Sequence, residues 1–402
     1  MIILLPTILR SMFRLGRSSV LIGLVSCVPV IPLHAATFVV DRFDDANGSC
    51  DPGDCSLREA LLAAEVNPGQ DTVILPSGLH TLSIPEVTPG DLLHSGDLDV
   101  ILHDVEIYAP AGAVIDAQGI AGVFRFWGAS SSRLINLTIT GGSKPFGLGG
   151  GIYIEGSNLE LENVWIVGNQ AWRGGGLAIE LGTVTLDHVT ISDNDCEHSG
   201  GGVYLFGISQ TRVGRLELSN STISGNHSDQ SGGAIYIAGA GELQIEYSTI
   251  VANTNRPGDP TIRSFLGYPP ADALYTLIEG TCSAGSDASC IYLSSKADEV
   301  AVADLGLEPL AMNGGSTPTH ALLPTSPAID IVPLGAVCPP DDQRGVARPQ
   351  DGNGDHEALC DAGSFELIRV PLAVEIPTLD EIALFVLMLL LACAGVVALR
   401  PS

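Results

Sequence analysis

The sequence predicts an all-β fold: a parallel β-helix, with a helix in front of the solenoid and a transmembrane helix behind it. Three observations carry this expectation. The middle of the chain repeats itself at intervals of 25 to 32 residues, apolar residues alternate within each repeat, and one capped amphipathic stretch precedes the repeats.

The chain opens on an export signal. Arg10, Arg14 and Arg17 lead an apolar run over 20–33, and His34-Ala35-Ala36 offers small residues for cleavage. Pro29 and Pro32 break the run, which favours a cleaved signal over a membrane anchor. Cysteine use agrees with an oxidising destination. Three close pairs are the simplest connectivity: Cys50 with Cys55, Cys282 with Cys290, and Cys338 with Cys360. Cys196 is left over.

The stretch SLREALLAAE is the amphipathic helix. Leu57, Ala60, Leu61 and Ala64 fall at helical spacing, and Ser56 with Glu59 forms an S-x-x-E capping box. Asn67-Pro68-Gly69 ends it. Arg58 falls off the apolar face and is expected to make a surface ion pair or hydrogen bonds. A solenoid exposes core and strand edges at its ends, so this helix is expected to plug the first coil.

The repeats align as LINLTITGG (134–142), LENVWIVGN (161–169), LDHVTISDN (186–194), LSNSTISGN (218–226) and IEYSTIVAN (245–253). Period-two alternation rich in β-branched residues means strands, and no helical pattern separates the repeats. Glycine clusters at 149–151, 174–176, 200–202 and 232–233 mark one corner, each followed by a short apolar strand, IYI, LAI, VYL or AIYI. Asn169, Asn194, Asn226 and Asn253 mark another. Asn tolerates a left-handed backbone and can ladder from turn to turn, so these four read as turn residues. Residues 256–300 read as a decorated final coil or two.

The C-terminus carries an uncharged run over 382–399, with Asp380 and Glu381 before it and Arg400 after it. That is the length and polarity of a minimal membrane helix with its basic end inside.

Here specific resemblances enter. CSLREA (55–60) resembles the signature of the CSLREA domain that begins secreted bacterial β-helix proteins. The coils resemble the right-handed parallel β-helix repeat family. LGLEPLAMNGGSTPTHALLPTSPAID, DQRGVARPQDG and CDAGSFE resemble the choice-of-anchor Q region. The tail at Ile376, Pro377, Thr378 and Leu379 resembles an IPTL-CTERM sorting signal, although Ile382 stands where that family usually has Trp. The resemblances imply a signal at 1–36, a CSLREA segment at 37–70, a β-helix at 71–304, a choice-of-anchor Q-like region at 305–368, a linker at 369–375 and a sorting segment at 376–402. They also imply two partners, the export machinery and an exosortase-type sorting enzyme.

Chemistry is sparse. Acids outnumber bases 46 to 18, for a net charge of −28, which excludes a nucleic-acid partner for want of any basic stripe. In SDNDCEHSGGG, the residues Asp193, Asp195, Glu197 and His198 are the candidate polysaccharide-site group, expected in a corner loop. No adjacent Asp pair, G-H-G or R-x-K accompanies them. In DGNGDHE, Asp351, Asn353, Asp355 and Glu357 space oxygen ligands like the start of a calcium loop, but His356 sits where the glycine belongs. Asp342, Arg344 and Arg348 of DQRGVARP fall between Cys338 and Cys360, in a stapled region expected to close the solenoid. No cofactor is required, and Ca2+ is the one candidate ion.

The expected function is an exported, surface-anchored β-helix for adhesion, carbohydrate contact or envelope structure, with no reaction of its own. Its expected partner is a polysaccharide or surface glycan, with membrane contact through the C-terminal helix. The alternative is a lyase or glycoside hydrolase acting on an acidic polysaccharide, which would need convergent carboxylates.

Overall fold

The computed structural model describes residues 34–369, apart from 87–94, 102, 129, 258, 260, 265–271, 281–288 and 293–298, together with 386 and 388–390. The signal segment, most of the apolar tail, the sorting motif and Cys282 lie outside the described residues. No helix among the described residues is long and apolar enough to cross a membrane.

The described strands form sheets of 17, 4 and 7 strands, paired in parallel throughout the coils. Each coil runs through four faces. Face A holds strands such as Asn158–Glu162 and Thr183–Asp187, and face B holds Trp165–Val167 and Thr190–Ser192. Face C holds Gln170–Arg173 and Asp195–Ser199, and face D holds Leu177–Glu180 and Val203–Gly207. Registers are strict, so like residues stack: Leu161 pairs with Leu186 and Leu186 with Leu218. Leu159, Leu161, Ile166, Leu177, Ile179 and their equivalents fill one continuous core. The last coil ends in an antiparallel turnback, Thr276–Ile278 to Ser289–Tyr292 to Glu299–Val302.

Corners explain the punctuation of the sequence. Between faces A and B a non-glycine residue takes positive φ in coil after coil: Asn136, Asn163, His188, Asn220 and Tyr247. Between B and C the left-handed residue is the one before each ladder asparagine: Gly168 at 65°, Asp193 at 54°, Gly225 at 70° and Ala252 at 57°. The asparagines themselves are not left-handed, which corrects one half of their sequence reading. Their side chains run the length of the corner instead. Asn169 Nδ2 donates to Asn194 Oδ1 at 3.0 Å, Asn194 Nδ2 to Asn226 Oδ1 at 2.9 Å, and Asn226 Nδ2 to Asn253 Oδ1 at 2.9 Å. At the C–D corner the coils approach too closely for any side chain. A Cβ on Gly175 would lie 2.3 Å from the Asp195 carbonyl oxygen.

Helix α1 spans Leu57–Val66 and has both halves of the capping box, with Ser56 N donating to Glu59 Oε2 at 2.8 Å. Leu57, Ala60, Leu61 and Ala64 join the same core as the first coil. Arg58 is not on the surface. It is 1% exposed and grips Asp45, whose side chain is also fully buried. The sequence pattern of the helix shows its apolar face but cannot show this distant partner.

Cys50–Cys55 and Cys338–Cys360 are disulfides. Cys196 is a buried free thiol, pushed up to about 11 by burial. Residues 305–367 have almost no regular structure and lie along face B. Gln343 Nε2 donates to Thr190 Oγ1 at 2.7 Å, Thr222 Oγ1 donates to Gln343 Oε1 at 2.6 Å, and Thr317 Oγ1 donates to the His188 carbonyl at 3.0 Å. Ser224 Oγ and His320 Nε2 are 2.8 Å apart, and Ser364 Oγ donates to Thr249 Oγ1 at 3.1 Å. The region thus covers a lateral row of Thr and Ser side chains, where the sequence had suggested the end of the solenoid. The reason is chemical: a stack of outward hydroxyls needs partners once it is buried.

Candidate functional site

The residues singled out in SDNDCEHS do not form a loop. Asp195–Ser199 is a face C strand, held in parallel by Gln170–Arg173 on one side and His227–Ser228 on the other. Its inward residues, Ala171, Cys196 and Ser228, are small, so face C lacks the apolar alternation that would reveal a strand. Asp193 sits apart, at the B–C corner. Asp195 faces out between Gln170 and His227, Glu197 is exposed, and His198 packs on Trp172 with ring centroids 5.0 Å apart. The carboxylates are strung along a strand and do not converge on one point.

The 351–357 segment spends its oxygens on its own backbone. Asp351 Oδ1 accepts from Gly354 N at 2.6 Å and its Oδ2 from His356 N at 3.0 Å, while Asn353 Oδ1 accepts from Asp355 N at 2.8 Å and Asp355 Oδ1 from Glu357 N at 2.9 Å. Among the described residues no three His, Cys, Asp or Glu side chains gather as a metal set.

DQRGVARP is a buried charge network. The fully buried Asp342 carboxylate pairs with Arg344 at 2.6 Å and accepts from Glu366 N at 2.8 Å. Arg348 lies 3.5 Å from Glu366 and donates to the Gly363 carbonyl at 2.7 Å. Burial, and then the Glu366 charge, push Asp361 up to about 7. Every group here is turned inward toward the chain.

The aromatic residues on the outer side of the solenoid group on faces C and D, some exposed and some covered by their neighbours. On face C, register slips open a bulge at the same place in successive coils: 145–147, Trp172 and 197–198 oppose one another. Phe146, Trp172 and His198 occupy these bulges, with Phe146 96% and Trp172 36% exposed. On face D, the row pointing away from the core runs Asp99, Arg125, Tyr153, Ala178, Tyr204, Tyr236, with Arg125, Tyr153 and Tyr236 half-buried and Asp99, Ala178 and Tyr204 covered by their neighbours. The next outward row runs Trp127, Glu155, Glu180 and Phe206.

These side chains hold one another. The Arg125 guanidinium lies 5.4 Å from the Trp127 ring and 5.7 Å from Tyr153, and pairs with Glu155 at 3.0 Å. Tyr153 OH donates to Glu180 Oε2 at 2.7 Å. Arg173 reaches across the glycine corner, 4.3 Å from the Trp172 ring and 5.3 Å from Tyr204. Tyr204 stacks on Tyr236, nearly parallel, at 6.0 Å. Such contacts fix aromatic faces that would otherwise rotate. Burial raises the Tyr153 and Tyr204 phenols, and burial followed by the Arg173 charge lowers His198. The sequence carried a signal for this strip: an aromatic or His before each glycine triplet, and Tyr at the outward position of IYI, VYL and AIYI.

A family model described as a right-handed beta helix region matches residues 118–259. The described coils form a parallel β-solenoid, and over the matched residues the chain is similar to right-handed β-helix proteins. No curated protein and no solved structure matches it. In this β-helix the match spans the coils that carry the ladder and most of the aromatic strip.

Asp99 stands at the edge of the strip, 8% exposed. Burial, and then the Asp97 charge, push it up to about 8 from 3.8. The unfolded chain therefore releases this proton near the ordinary Asp value, and the folded chain keeps it until about pH 8. Between those values the folded state binds the extra proton, so stability falls as pH rises. Asp99→Asn is expected to raise neutral-pH stability by on the order of 1–3 kcal/mol, a gain that vanishes toward pH 4. Thermal unfolding of both proteins across that range checks it. A constant difference at every pH would show that the charge is not the cause.

Proposed function

We propose that this β-helix protein is exported, anchored at the cell surface, and contacts carbohydrate through the face C–D strip without turning it over. The observation that carries the reading is the row of aromatic side chains held by arginines and repeated coil by coil. Sugar rings offer apolar C–H faces to such rings and hydroxyls to the flanking carboxylates and guanidinium groups. Export is supported by the Arg-led apolar leader and by two disulfides, which belong to an oxidising compartment. Anchoring is supported by the IPTL-like motif, the uncharged run and Arg400. Helix α1, with its buried face in the first-coil core, serves as a lid against end-to-end pairing of coils.

Trp172→Ala tests the contact. Retention on insoluble polysaccharides is expected to fall about tenfold or more, with thermal stability nearly unchanged because the ring is partly exposed. Unchanged retention would remove the strip from the account. Anchoring is tested by fractionating cells that carry a tag inserted before Ile376. Recovery in the membrane or surface fraction is expected, and a purely soluble species would contradict it.

A hydrolase reading has one observation in its favour, the protonated Asp99 on the same face as Glu155. The burial of Asp99 beneath the strip edge counts against its reaching a glycosidic oxygen. Release of reducing ends by the intact chain, lost in Asp99→Asn, would establish it.

A further inference from the structure

We propose that the face C–D strip takes an uncharged polysaccharide lying along the solenoid axis, and that its carboxylates turn uronate-bearing chains away. The inference rests on the strip being the glycan face.

Orientation follows from the registers. The outward row from Arg125 through Tyr153, Ala178 and Tyr204 to Tyr236 climbs one coil at each step. At the spacing of neighbouring strands this is about 19 Å, the scale of an oligosaccharide and far longer than one ring. The bulge residues Phe146, Trp172 and His198 climb in parallel on the other side of the glycine corner. Across a coil, by contrast, the rings are interrupted by the corner itself. A chain laid along the axis meets the exposed Phe146 and Trp172 and the half-buried Tyr153 and Tyr236, with the buried Ala178 and Tyr204 as spacers, while one laid across it meets one or two rings.

Selectivity follows from charge. The strip's cations are Arg125, Lys144 and Arg173. Arg125 is committed to Glu155, and Lys144 to Asp97 at 2.7 Å. Among the described residues no carboxylate pairs with Arg173, but the strands of the strip also carry Glu180, Asp195 and the exposed Glu197. Besides the buried Asp99, five acids (Asp97, Glu155, Glu180, Asp195 and Glu197) thus stand against three cations, within a chain of net charge −28. An uncharged chain gives hydroxyl donors to these acceptors and loses nothing to the field. A polyuronate meets like charge at each step, an effect that salt screens.

The test is direct binding of the full chain, by calorimetry, to neutral hexasaccharides of glucan, mannan and galactan type and to hexagalacturonate. At least one neutral hexasaccharide is expected to bind about tenfold or more tightly than hexagalacturonate at low salt, with the gap narrowing as salt rises. Trp172→Ala is expected to weaken the neutral binding about tenfold or more. Glu197→Lys is expected to improve hexagalacturonate binding about tenfold with the fold intact by thermal unfolding. Hexagalacturonate binding as tightly as the best neutral probe, and weakened in Trp172→Ala, would overturn the selectivity and leave the glycan face standing. Binding of none of the probes, or binding insensitive to Trp172→Ala, would overturn both.

Discussion

Replacing Arg58 by Ala is expected to destabilise the protein by about 3–5 kcal/mol, the cost of breaking a buried ion pair from one side. Arg58 Nε donates to Asp45 Oδ1 at 2.7 Å and Nη2 to Oδ2 at 3.0 Å. The same guanidinium donates to the Gly96 carbonyl at 2.8 Å and the Asp97 carbonyl at 3.1 Å, tying α1 to the start of the first face D strand. Asp45 in turn accepts from Ser83 N and Ile84 N, both at 2.9 Å. Without Arg58 the carboxylate stays buried, held by two amides and facing no cation. Arg58→Lys should recover only part of the loss, because an ammonium cannot reproduce the planar fork. Urea unfolding of the three proteins checks both statements. A loss under about 1 kcal/mol, the range of exposed pairs, would mean that Arg58 is solvated.

Asn194→Ala is the second large effect, expected at about 2–4 kcal/mol from several buried hydrogen bonds lost together. Asn194 Oδ1 accepts from both Asn169 N and Asn169 Nδ2 at 3.0 Å. Its Nδ2 donates to Asn226 Oδ1 at 2.9 Å and to the Ile166 carbonyl at 3.0 Å. Alanine removes all four bonds in the middle of the ladder: the buried Asn169 N–H loses this acceptor, while Asn169 Nδ2 keeps the Ile139 and Val167 carbonyls and Asn226 Oδ1 keeps the backbone amide of residue 194. Asn253→Ala, at the half-buried end of the ladder, should cost less because water can reach the groups it orphans. Equal costs at the two positions would show that the asparagines act singly and not as a ladder.

Much of this fold is legible in the sequence because a solenoid writes its structure locally. Period-two apolar residues, corner glycines and regularly placed asparagines each report their own coil, and the Ser56–Glu59 box reports its own helix. What is not legible depends on partners far along the chain. Arg58 reads as a surface residue because Asp45 lies upstream of the disulfide loop, and Gln343 gives no hint of Thr190. Face C reads as a loop because Ala171, Cys196 and Ser228 are too small to show a pattern. The aromatic strip was half visible. Each tyrosine stands in a recognisable strand, but coils of 25 to 32 residues must be brought into register before Tyr153, Tyr204 and Tyr236 form one row. The oxygen spacing over 351–357 resembles a ligand set in the sequence, whereas the backbone amides that Asp351, Asn353 and Asp355 accept from are visible only in the fold.

Hydrogen–deuterium exchange of the full chain, with and without a saturating hexasaccharide that it binds, tests the central claim most directly. Slowed exchange is expected over Gln170–Arg173, Asp195–Ser199 and Val203–Gly207, with Asn158–Glu162 and Thr183–Asp187 unchanged. Protection confined to the face A strands, or to the 305–367 region along face B, would place the ligand elsewhere and contradict the account.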